Sequence, residues 1–153
     1  MAAIITNMNR PRVEILSPEG IKEPSGAFSS PPTIIQADDR TYTPTILFDF
    51  EDKDLQTLSG AQAQIIVDDL VIWDSKEVRM ESTFFHRSGL LPRISSMHFV
   101  IPAEANLQAG VIYGVRIRVR DYYEPKRWQV MSEWSEIRYF EMRGKNNLVI
   151  STE

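Results

Sequence analysis

Apolar and polar positions trade places along most of this chain with a period of two, the spacing of a half-buried strand. "TPTILFDF" puts Ile46, Phe48 and Phe50 on one face. "AQAQIIVDD" sets Ala63, Ile65 and Val67 against Gln62 and Gln64. After an Asp-Asp turn comes "LVIW", and later the short apolar "MHFVIP", bounded by Pro102. "VIYGVRIRVR" is the clearest strand: Tyr113, Val115, Ile117 and Val119 face in, while Gly114, Arg116, Arg118 and Arg120 face out. "EIRYFEM" closes the series. Strands separated by turn signals predict an all-β fold, a sandwich or a barrel. No segment has the period of a long amphipathic helix; "AEANLQAG" is fit for one helical turn.

The first 40 residues differ. Pro11, Pro18, Pro24, Pro31 and Pro32 all fall there, and "SPEGIKEPSGAFSSPP" has no helical period. Such a stretch reads as an extended arm, covering residues 1–40, that orders against the domain or against a partner subunit. Within it "RVEIL" and "PTIIQ" are fit to add as strands at an edge, where proline is tolerated. The domain proper spans residues 41–143. Residues 144–153, "GKNNLVISTE", form a C-terminal extension, either a frayed end or one more strand.

In their order, several segments resemble a fibronectin type III domain. "TPTILFDFEDKD" resembles its second strand and the turn after it. "AQIIVDDLVIWDSKEV" resembles the next two strands of such domains in bacterial and phage proteins, with Lys76 and Glu77 where Gly-Lys is usual. "NLQAGVIYGVRIRVRD" resembles the corner and strand that follow, with Leu107, Gly110 and Tyr113 in the familiar spacing, and "SEWSEIRYF" resembles the lead into the last strand. The resemblance covers residues 41–143, about the 100 residues of this sandwich class. It implies an antiparallel fibronectin type III/immunoglobulin-like β-sandwich. Tyr113 is then a structural corner, its ring packed inward and its hydroxyl holding upstream backbone. In cytokine-receptor domains of this class a Trp-Ser-x-Trp-Ser motif stacks its indoles between strand arginines. Met131 stands here in place of the first Trp, and Trp134 is expected to stack on Arg116 or Arg118 as a structural ladder.

Composition narrows the functions. A formal net charge of −4 argues against non-specific binding to nucleic acid or to an anionic membrane. The chain has no cysteine, hence no disulfide, thiol nucleophile or cysteine zinc site. No apolar run approaches the ~20 residues of a membrane helix. The start "MAAIITNMNRPR" has its basic residues after the apolar run, which is not the order of an export signal. Asp49, Glu51, Asp52 and Asp54 invite a calcium reading, but the loop lacks the glycine and distal glutamate of an EF-hand. His86 and His98 have no ligand-spaced partner, and no serine sits in a nucleophile elbow. No catalytic, metal or cofactor residue is expected.

Two segments are candidate interaction surfaces. "DYYEPKRWQVMSEW" carries Tyr122, Tyr123 and Trp128, residue types enriched in binding hot spots. "STFFHRSGLLP" carries Phe84 and Phe85. The expected function is a non-enzymatic protein–protein interaction module. A single such domain without cysteine or export signal resembles small structural or accessory proteins of tailed phages, notably siphophages of Gram-positive hosts such as Bacillus. That implies a virion component made in the host cytoplasm, with other phage proteins or a second copy of itself as partner. The alternatives are a carbohydrate-binding module using Tyr122, Tyr123 and Trp128 on host glycans, and an intracellular regulator of a host protein.

Overall fold

The computed structural model describes residues 12–37, 42–51, 58–79, 97–121 and 131–144. In chain order the strands are β1 (Arg12–Ser17), β2 (Ile21–Lys22), β3 (Phe28–Ser30), β4 (Thr33–Gln36), β5 (Thr45–Glu51), β6 (Leu58–Val67), β7 (Leu70–Asp74), β8 (Val78–Arg79), β9 (Met97–Val100), β10 (Ile112–Asp121) and β11 (Arg138–Arg143). Among the described residues helix is confined to one 3-10 turn, Ala103–Ala105, which ends where Asn106 turns left-handed at φ 59°.

Two sheets close on one core. The smaller runs β1-β5-β9 and is antiparallel throughout. The larger runs β4-β11-β10-β6-β7, with β8 pairing β6 beyond the end of β7. A small hairpin, β2-β3, stands apart. The alternation seen along the chain places the core: Ile46, Phe48 and Phe50 from one sheet meet Ala63, Ile65, Val115, Ile117, Val119 and Phe140 from the other, all buried. Val67 belongs to the same row but is only half-buried, because β6 is there already entering its turn. That turn has just two residues, Asp68 at φ 50° and Asp69 at φ 67°. Positive φ at both positions gives the twist that a tight hairpin requires, and aspartate tolerates it better than most residues.

Of the segment expected as an extended arm, residues 1–40, the described residues 12–37 are ordered against the domain and take part in both sheets. "RVEIL" forms β1 on the edge of β5, and "TIIQ" forms β4, parallel to β11. Between them the chain crosses from one sheet to the other through the cis Ser17–Pro18 bond. The β2-β3 hairpin then lies over β11. Phe28 meets Tyr139 edge to face at 5.4 Å, and Lys22 Nζ sits 5.6 Å from the Tyr139 ring. Both segments were legible as edge strands, but their partners β5 and β11 were not, since prolines mark turns and edges without saying which strand lies alongside.

Candidate functional site

Pairing between β6 and β10 sets Arg116 directly opposite Gln64 and Arg118 opposite Gln62. On the outer face each arginine reaches across to its glutamine. Arg116 donates from Nε and Nη2 to Gln64 Oε1 at 2.9 and 2.7 Å, and Arg118 donates from Nε to Gln62 Oε1 at 2.9 Å. The glutamine amides then donate onward to Asp74 on β7, Gln62 to Oδ1 and Gln64 to Oδ2, both at 2.8 Å. One carboxylate thus gathers two cross-strand rows. Asp74 Oδ1 also accepts from the Lys76 backbone N–H at 2.7 Å. Lys76 takes φ 59°, a left-handed turn conformation that glycine adopts more readily than lysine.

Burial works against the charge of Asp74, but the bonds from Gln62, Gln64 and the Lys76 backbone, with the Lys76 charge, outweigh it. Its carboxyl is held below the ordinary value. A third arginine completes the row. Arg120 lies opposite Gly60, where a side chain would collide with the Glu77 carboxylate, its Cβ only 2.6 Å from Oε2. Glu77 crosses that gap and accepts from Arg120 Nε at 2.7 Å and Nη2 at 3.2 Å.

Trp134 lies between the first two arginines. The guanidinium carbons of Arg116 and Arg118 both sit 4.5 Å from its ring. Alternate strand residues project on the same side, so an indole standing between them meets both cations. The backbone before β11 puts the ring there. Ser132 N–H donates to Val119 C=O at 2.8 Å, and Ser132 Oγ accepts the Val119 N–H at 2.9 Å. Ser135 repeats this on Ile117, at 2.9 and 3.0 Å. Three residues of this segment therefore span two residues of β10. The surplus length displaces Glu133 and Trp134 from the sheet edge and leaves the indole over the arginines. Both serines are buried, 4% and 8% exposed. Met131, just before the serine segment, forms an isolated bridge to Arg120.

Tyr113 is buried at the start of β10, its ring 5.7 Å from Phe140, and its hydroxyl accepts the Gln108 N–H at 2.6 Å. The candidate contact residues Tyr122, Tyr123, Trp128, Phe84 and Phe85 lie outside the described residues, as do His86, Asp52 and Asp54. Among the described residues no three histidine, aspartate or glutamate side chains group as metal ligands, and no helix is long and apolar enough to cross a membrane.

Two clefts open near this scaffold. One, of about 500 Å³, lies between β1 and the Glu133–Arg138 segment, with Arg12 and Arg138 facing Glu14, Glu133 and Glu136. The other, of about 410 Å³, lies between the ends of the two sheets and is lined by Trp73, Val78, Phe99, Val100 and Pro102, with Ser75 and His98.

Sequence reasoning named Arg116, Arg118 and Trp134 but gave no role to Ser132, Ser135, Asp74 or Glu77. The serines had one available signal, their spacing directly beside a strand of alternating arginines. No protein-family model matches the chain, and neither a curated protein nor a solved structure matches it.

Proposed function

We propose that the protein is a non-enzymatic protein–protein interaction module on a fibronectin type III-like sandwich, serving as a structural or accessory component of a tailed-phage particle. The observation that carries the first half is the engagement of the outer-face polar groups. Arg116, Arg118 and Arg120 are taken up by Gln64, Gln62, Glu77 and Trp134, and Asp74 by both glutamines. Groups that would otherwise offer acid–base chemistry or an anion site serve instead to bind one strand to the next. Two sheets around one core, and a tyrosine whose hydroxyl returns to backbone five residues upstream, support the sandwich class.

The particle assignment rests on the resemblance of residues 41–143 to phage domains and on a composition without cysteine. Contacts are assigned to the segments that the scaffold anchors. Asp121 and Met131, at the ends of β10 and of the serine segment, fix the two ends of the stretch carrying Tyr122, Tyr123 and Trp128. Mass spectrometry of gradient-purified particles tests the proposal. The chain is expected at a constant copy number per particle. Its presence in infected lysate but absence from particles would overturn the assignment.

A further inference from the structure

We propose that the cleft between β1 and the Glu133–Arg138 segment takes an extended segment of a partner protein, with one glutamate carboxylate of that segment seated on Arg138. Register places Arg138 opposite Val115, on the side of the larger sheet that faces the core. Phe140 and Met142 follow it on that side, and both are buried. A guanidinium therefore stands where the rest of the strand carries apolar side chains. Its side chain is 14% exposed, and its Nε is buried without a hydrogen-bond partner. Among the described residues it has one ion pair, with Glu136, whose Oε1 is 3.9 Å from Nη2 and whose side chain is 62% exposed. That distance is too long for a hydrogen bond, and water screens the pair. A buried charge so poorly complemented is costly to the free chain, and a guest carboxylate would complete it.

The second observation is the space beside this charge. β1 is the edge of the smaller sheet, and β4 pairs with β11 only from Phe140 onward. The side of the sandwich thus stands open between β1 and the Glu133–Arg138 segment, as a cleft of about 500 Å³. It runs along β1 from Arg12 to Ile15, so a guest lies in it as an extended chain. Val13 and Ile15 supply an apolar wall for the methylenes of a glutamate. Charge selects the rest of the guest. Glu14, Glu133 and Glu136 line the same cleft and are exposed. They repel a phosphate or another dianion, whereas a single carboxylate answers Arg138 and lysines on either side of it answer the glutamates.

The inference rests on the interaction-module reading, but its test uses the isolated chain, so its failure and that of the particle assignment are read separately. The probe is the blocked peptide acetyl-Lys-Val-Glu-Val-Lys-amide, with its glutamine analogue as control. NMR spectra of the isotope-labelled chain read the Arg138 Nε–H directly, together with the Val13 and Ser135 amides. The expected result is a saturable shift of these signals with the glutamate peptide, with affinity lower by about tenfold or more for the glutamine peptide. Arg138→Lys keeps the charge without the planar fork and should bind several-fold more weakly. Arg138→Leu should abolish the shift and yet raise the thermal midpoint of the free chain, because an apolar side chain suits this inward position. Equal binding of the two peptides, binding that survives Arg138→Leu, or no shift at millimolar peptide overturns the proposal. A less stable Arg138→Leu chain also overturns it, by making the guanidinium part of the fold. So does an Arg138→Leu chain that self-associates and still binds the peptide, by making the charge a guard against edge pairing.

Discussion

Ser132 and Ser135 each pair twice with a single residue of β10, once through the backbone and once through the hydroxyl. Replacing a serine by alanine keeps the backbone bond but strands a buried N–H, which costs about 1–3 kcal/mol. Ser132→Ala and Ser135→Ala are each expected to lower the urea unfolding free energy by that amount, with the slope of the transition unchanged. Asp74 makes a pH-dependent contribution. Its carboxyl is lower in the folded chain than the ordinary 3.8, so its stabilisation is complete above that value and disappears as pH falls through the lowered one. Asp74→Asn should therefore be less stable than the wild type at neutral pH. The gap should narrow below about pH 4, followed by urea unfolding at a series of pH values.

At the scale of the element, β10 was the most legible part of the sequence, while β4 was legible as a strand but not in its pairing. The apolar residues of β10 alternate without a break, and pairing to β6 follows because Gln62 and Gln64 repeat the period on the neighbouring strand. Burial of Val115, Ile117 and Val119 fixes the register, since a one-residue slip would exchange the two faces. β4 has no comparable signal. Its parallel pairing with β11 joins distant parts of the chain, and four residues cannot announce it. The serine clasp was hidden for another reason: a bond between side chain and backbone leaves no period to read. Gly114 marks a further close approach, since a Cβ there would lie 2.8 Å from Ile137 Cγ2. The ladder itself is testable as an element. A double-mutant cycle of Trp134→Ala with Arg118→Ala in unfolding should show a coupling of about 0.5–2 kcal/mol. Independent effects would remove the stack from the account.

Across the whole molecule the two ends of the larger sheet are treated differently. At the β4 end, prolines precede a parallel edge strand with Ile34 exposed, and the β2-β3 hairpin lies on β11, while at the β7 end Leu70, Val71 and Ile72 stand exposed and a cleft opens beside Trp73. Between them the arginine–glutamine–aspartate rows and Trp134 tie the strands of the outer face together, and the proposed function then leaves contacts to its edges and to the segments it anchors. Trp134 is then scaffold and not a contact residue, although tryptophan is a frequent hot spot. The most direct measurement is the amount of Trp134→Phe recovered in purified particles, normalised to folded protein, beside its unfolding free energy. Phenylalanine keeps a smaller ring but a weaker stack. The account predicts a chain that is less stable and yet incorporated at the wild-type level. Unchanged stability with loss from the particle would contradict it and make Trp134 the contact.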